Sequence, residues 1–280
     1  MKIIYFLFFI LFINTTTFSQ ELVCSAQDKE VFEVKIIAVD GFLEKEFGKT
    51  ITSVGKTFLG TPYIAKTLEI DEKEPLVINF QGLDCTTYVE NVLAFSLLLK
   101  NEKTDFTSFT KTLENIRYKD GKRNGYASRL HYFSEWIANN EKKGLLKNIT
   151  SEIGGIEINK TINFMSTHSD LYPFLKDNDD NYNKIKASEE FLNNEAICIL
   201  EQDQIKVNEH LIKSGDIIGL TTAIKGLDIT HTGIATLEKD GRIHLLHASS
   251  SGEVKISKEP LVEYLKKIKN NTGIMVCRPL

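Results

Sequence analysis

Residues 79–99 read "NFQGLDCTTYVENVLAFSLLL", and the organisation of the chain follows from how this stretch is taken. Asp84 is a plausible N-cap, and the mostly apolar run behind it predicts a helix to about Lys100. Its apolar positions almost encircle that helix, so the helix belongs in a core. Cys85 then sits in the first turn, where unpaired backbone N–H groups and the positive end of the helix dipole favour a thiolate. The same N–H groups can later hold an oxyanion. A buried structural thiol is the competing reading of this cysteine.

Upstream, apolar positions between Val31 and Phe58 fall at helical spacing through "FLEKEFGKTITSVGKTFLG" and stop at Gly60, Pro62 and Tyr63. "PLVINF" (75–80) reads as a short strand. Downstream, two more helices are expected between Thr104 and Asn140, with a polar loop inside "YKDGKRNGYASRLHYFSEWI" (118–137). Residues 177–195, "DNDDNYNKIKASEEFLNNE", are rich in Asn and charge and read as a solvated insertion. From Ala196 onward the pattern turns to strands: "AICIL", "GDIIGLTT", "HTGIATLE", "RIHLLHAS", "EVKIS" and "GIMVCRPL". Helices first and strands afterwards predict an α+β fold.

The opening residues differ from the rest. "MKIIYFLFFILFINTTTFSQ" has one early Lys, an apolar block and then small and polar residues, the pattern of a secretory signal peptide over 1–20. An uncleaved anchor is the alternative; a lipid on Cys24 fits poorly, because Leu22 and Val23 are not the small residues such a cleavage needs. The expected mature chain is therefore one domain over 21–280, periplasmic or secreted, without stable membrane insertion. Losing Lys2 with the leader moves the formal charge from −4 to −5, which offers nucleic acid no electrostatic attraction. Cys24, Cys85, Cys198 and Cys277 are too few and too scattered for a disulfide scaffold, and Cys198 and Cys277 read as small buried residues, a bridge between them being the alternative.

A cysteine nucleophile needs a base, and the base needs a group that fixes its tautomer. Three of the six histidines fall in "ITHTGIATLEKDGRIHLLHASS" (229–250). A three-residue hairpin loop of Lys239, Asp240 and Gly241 makes Glu238 face Arg242 and Gly233 face His247. His231 then becomes a diagonal neighbour of His247, about 7–8 Å away at Cβ and within reach of two imidazoles. His244 points to the opposite face. A two-residue turn would flip that parity. His244 and His247 cannot share a metal from opposite faces, and no other compact metal motif is present. His131 reads either as a cleft residue or as a helix-surface histidine, and His168 and His210 read as solvated.

"LGTPY" (59–63), "LDCTTYVENVLA" (83–94), "THTGIA" (230–235) and "LLHASS" (245–250) occur in the order and character of the NlpC-type papain-like cell-wall hydrolases. With "SRLHYF" (128–133) included, the chain most resembles their N-acetylmuramoyl-L-alanine amidase-like branch from about Gly48 onward. The resemblance implies a papain-like cysteine hydrolase core, with Cys85 as nucleophile, His231 as general base and then acid, and His247 as orienting group. Tyr63 matches the tyrosine of the Pro-Tyr turn that borders the site. The expected substrate contacts are Tyr63, Asp84, Arg129 and His131. Arg129 is chosen because a guanidinium grips a carboxylate at two points, the alternative being a structural pair with a glutamate such as Glu135. "DCTTYVE" replaces the commoner "DCSG" start, and the middle of the chain is longer than a minimal peptidase domain.

The expected reaction is hydrolysis of the bond between N-acetylmuramic acid and L-alanine in peptidoglycan or muropeptides, by a monomer that needs neither cofactor nor metal. A γ-D-glutamyl-diamino acid endopeptidase on the same fold is the alternative. A silent wall-binding module and an acyltransferase are more distant ones.

Overall fold

The computed structural model describes residues 21–280; the expected signal peptide lies outside the described residues. The helix at the centre of the argument, α3, is the fifth element in a chain that runs β1 (Leu22–Cys24), α1 (Ala26–Val39), α2 (Phe47–Lys56), β2 (Leu76–Ile78), α3 (Cys85–Lys100), α4 (Phe106–Arg117) and α5 (Phe133–Lys142). Then follow β3 (Leu146–Asn148), β4 (Ile156–Ile158), α6 (Phe164–Thr167), α7 (Asp179–Asn193), β5 (Ile197–Glu201) and α8 (Ile205–Asn208). The last elements are β6 (Ile217–Thr222), β7 (Ile229–Leu237), β8 (Ile243–Ala248), β9 (Val254–Ile256), α9 (Leu261–Lys266) and β10 (Asn271–Pro279).

Asp84 caps α3 reciprocally with Thr87: the Asp84 carboxylate accepts from the Thr87 N–H at 2.8 Å, and the Thr87 hydroxyl accepts from the Asp84 N–H at 2.9 Å. Every residue from Thr87 to Leu99 is buried, as an apolar stripe all round the helix requires. Phe95 stands in an aromatic cluster with Phe32, Phe58, Phe80 and Phe109, its ring centroid 4.8 Å from that of Phe109. This core lies between the helices and one face of the sheet; a smaller core on the other face gathers Leu220, Ala235, Leu245 and Leu261.

Eight strands form the main sheet, in the order β4-β5-β10-β6-β7-β8-β9 with β3 also on β10, and every pair is antiparallel. All six C-terminal strands read from the sequence are present. The protein is thus a mixed α/β structure, helices packed on an antiparallel sheet. β1 and β2 form a separate parallel pair that the sequence reading did not contain.

Two expectations need correction. The stretch from Val31 to Phe58 is not one continuous run of helix: it breaks after Val39, at Asp40 and Gly41, where Gly41 takes a φ of +77° that continues no right-handed helix. The supposed solvated insertion at 177–195 is α7. Asn178 caps it, and Asn181, Ile185, Ser188, Glu189 and Leu192 form a buried face at helical spacing beneath the charged residues. Glu189 accepts from the Tyr132 hydroxyl at 2.7 Å, which ties α7 to the loop that carries Arg129 and His131.

Candidate active site

The β7–β8 hairpin has the three-residue connection. The Glu238 N–H donates to the Arg242 carbonyl at 3.1 Å, and Gly241, at φ +77°, supplies the left-handed position. The ladder runs from Leu237↔Ile243 to Ile234↔Leu246 and stops there. Beyond that point β7 stays with β6, whereas β8 pairs with β9 through His247↔Lys255 and Ala248↔Val254. The sheet forks, and the N-terminus of α3 enters the fork. The Thr232 N–H, released from the ladder, donates to the Cys85 sulfur, as do the Thr86 hydroxyl and N–H.

At the same fork His231 Nε2 lies 2.7 Å from His247 Nδ1, the two rings crossing at 85°. Gly233 permits this approach, because a Cβ there would stand 2.9 Å from the His247 Cβ. His244 faces the other way and bonds the Ser257 carbonyl and Asp240. The diagonal pair anticipated from alternation is therefore in place, and the ring nitrogen of His231 not engaged by His247 is Nδ1.

Protonation differs from what the helix start suggested. Burial pushes the Cys85 thiol up to about 11, with the Asp84 carboxylate adding to it, against which the Thr232 and Thr86 donors pull only part of the way back. Burial likewise pushes His231 down to about 4 and His247 down to about 3, the latter helped by His231 and Lys255. The resting site is a thiol beside two neutral imidazoles, so the expectation of a ready thiolate is corrected. Moving one proton from Cys85 to His231 creates two opposite charges at once, which burial penalises less than either ion alone.

Burial also holds His131 well below its ordinary value. In the unfolded chain these histidines titrate near 6.5, so the folded state resists protons that the unfolded state accepts. Their contribution to stability is fully present above pH 6.5 and is lost as pH falls, for His231 towards about 4 and for His247 towards about 3. The melting temperature should drop across that window, and a His231→Asn, His247→Asn double variant should show a shallower drop; equal slopes would exclude these two groups as the cause.

Tyr63 borders Cys85: its phenol is pushed up to about 12 by burial and by the nearby Cys85 and Asp84, and its N–H is anchored on the Gly252 carbonyl at 2.7 Å. Asp84, expected among the substrate contacts, spends its carboxylate on the helix cap. A pocket of about 200 Å³ opens beside it, lined by Asp84, Thr86, Lys66, Arg129, His131 and Tyr172. Arg129 reaches it with its fork already engaged, by Glu69 and, at 2.9 Å, by Glu74. Glu135 is not its partner but that of Lys119. His131 is not on a helix surface: its ring packs at a tilt against Tyr126, centroids 4.4 Å apart, and contacts the Tyr126 carbonyl through Nε2 at 2.9 Å. Arg129→Met should cost about 3 kcal/mol by removing the cation that pairs buried Glu74 and half-buried Glu69, read as a lower melting temperature. An unchanged melting temperature would show that the pairs carry no structural load.

Tyr264 on α9 was not anticipated. Its ring meets His247 at 5.3 Å, and its phenol senses Cys85. A larger groove of about 800 Å³ lies elsewhere, lined by residues such as Phe47, Lys213, Arg242 and Arg278, and contains none of the site residues.

A family described as AmiA-like, N-acetylmuramoyl-L-alanine amidase-like, matches residues 53–274. The chain belongs to that family. This amidase-like protein is similar to a crystal structure of an N-acetylmuramoyl-L-alanine amidase from Bacteroides uniformis, at 40% identity over 84% of this chain and 99% of that one, with a TM-score of 0.80. A Bacteroides fragilis protein provisionally named a xylanase resembles it at 42% identity over 80% and 98% of the two chains, TM-score 0.76. A Legionella pneumophila protein at 22% identity, covering 90% and 95% with a TM-score of 0.67, shares the fold. No curated protein matches the amidase-like chain.

Proposed function

We propose that the protein is a cysteine-dependent N-acetylmuramoyl-L-alanine amidase with a papain-like site. The family and the amidase-named neighbours support a peptidoglycan amidase. The cysteine mechanism rests on one observation: the Cys85 sulfur is held by the Thr232 N–H, next in sequence to a His231 that is hydrogen-bonded to His247.

In the proposed reaction His231 Nδ1 takes the Cys85 proton as the sulfur attacks the lactyl carbonyl carbon of N-acetylmuramic acid. The oxyanion forms at the α3 N-terminus. There Asp84 occupies the Thr87 N–H and the Cys85 sulfur the Thr86 N–H, which leaves that of Cys85 for the developing charge. His231 returns the proton to the alanine nitrogen, the stem peptide departs, and water activated by the same imidazole opens the thioester. The pocket beside Asp84, bordered by His131, Arg129 and Tyr172, would seat groups flanking the scissile bond.

Sugar hydrolysis, the activity suggested by the Bacteroides fragilis name, needs two carboxyl groups flanking a glycosidic bond. Here Glu69 and Glu90 are tied to Arg129 and Arg117, and Asp84 caps a helix. Periplasmic or secreted placement belongs to the proposal through residues 1–20, as does a monomeric state. Among the described residues no helix is long and apolar enough to cross a membrane.

Defined muropeptides decide the bond. Mass spectrometry of the products should show free sugar together with an intact stem peptide. Shortened stems still attached to sugar would instead identify the γ-D-glutamyl-diamino acid endopeptidase, and xylo-oligosaccharide release would overturn both.

A further inference from the structure

His247 has two ring nitrogens and the structure pairs only one. Nδ1 meets His231 Nε2 at 2.7 Å, while Nε2 is buried without a hydrogen-bond partner. That orphan matters because the His231–His247 contact can be made in two ways. In one, His231 carries its proton on Nε2, donates it to His247 Nδ1, and keeps Nδ1 bare to accept the Cys85 proton; neutral His247 must then carry its own proton on Nε2. In the other, His247 Nδ1–H donates to His231 Nε2, and His231 Nδ1 already holds a proton and cannot act as a base. The working arrangement therefore requires an N–H at the buried atom that lacks a hydrogen-bond acceptor.

The aromatic group against His247 is Tyr264, its ring centroid 5.3 Å away and its plane inclined at 65°. It comes from α9, packed on the same face of the sheet as Leu245 and Ala235. We infer that Tyr264 is a positioning residue whose ring face receives the His247 Nε2–H, thereby holding the histidine pair in the one tautomer that leaves His231 Nδ1 free to act as base. An N–H directed at an aromatic face is favourable, because the face is the negative part of the ring. In the inert tautomer the same face would meet the bare Nε2 lone pair, negative against negative. The ring thus discriminates between two states that the His231–His247 hydrogen bond alone treats alike. The phenol oxygen is not needed for this; the ring is.

This inference rests on the cysteine amidase reading for its consequence, but its first test does not use activity. Nitrogen-15 NMR of the imidazoles in the resting wild-type protein near pH 7 should place the His247 proton on Nε2 and the His231 proton on Nε2. Protonation of His247 at Nδ1 would overturn the inference outright. In Tyr264→Leu the spectra should show a mixture of tautomers, and kcat should fall roughly ten-fold with KM little changed, whereas Tyr264→Phe should keep both the wild-type tautomer and kcat within about two-fold. A Tyr264→Phe variant as impaired as Tyr264→Leu would assign the effect to the hydroxyl, and an unchanged tautomer in Tyr264→Leu would remove the residue from this role. Should Tyr264→Leu fail to fold, the wild-type spectrum and Tyr264→Phe still decide. An active Cys85→Ala protein would sink the amidase mechanism without touching the tautomer result, so the two failures are separable.

Discussion

Cys85→Ala should lower kcat/KM on muropeptides by at least about 10⁴-fold, because bond making passes to no other group when the sulfur is removed. The fold should survive. The residue stands at the first position of α3, and the Asp84–Thr87 cap that starts the helix does not involve its side chain. Circular dichroism and a melting temperature within a few degrees of wild type would establish that the loss is chemical. Residual activity within ten-fold of wild type would rule out the thiol as nucleophile.

His231→Gln should have the second-largest effect, a fall of about 10³–10⁴-fold in kcat/KM, with a signature that the cysteine variant cannot give. In the proposed mechanism the wild-type thiol reacts by passing its proton to His231, so iodoacetamide should label Cys85 at pH 7. In the variant the thiol must ionise alone against burial and the Asp84 charge, which together push it up to about 11. Labelling at pH 7 should nearly stop and recover only towards that pH. Equal labelling of the two proteins at pH 7 would show that His231 does not take the proton. His247→Ala should reduce turnover by less than either, since it removes an orienting group, and His244→Ala should leave turnover nearly intact.

Much of this site was legible because it depends on local rules. Alternation along a strand and a glycine in the left-handed position of a short turn were enough to bring His231 to His247, and a cap residue followed by an apolar run was enough to start α3 at Cys85. What stayed hidden depends on the packing of distant segments. Nothing in the sequence says where the β7–β8 ladder stops, so the fork and the Thr232 N–H in it were not readable. Tyr264 lies on a six-residue helix with no side-chain cap, too short to announce a face. The partners of Arg129 are Glu69 and Glu74, far from it in sequence, whereas the nearer Glu135 was the natural guess. Composition misled over 177–195, where asparagines and charges cover a buried stripe.

The place of β10 in the sheet has a consequence for when the enzyme first becomes competent. The strand synthesised last among those described is not at an edge: it lies between β5 and β6 and also carries β3. Until it arrives, β4 and β5 have no strand pairing with the β6–β9 half, and the sheet that carries His231 and His247 is unfinished while Cys85 was made much earlier. Contacts between segments so far apart along the chain form late, after the large loop-closure cost has been met. A chain without β10 accordingly lacks the strand that joins the two parts of its main sheet.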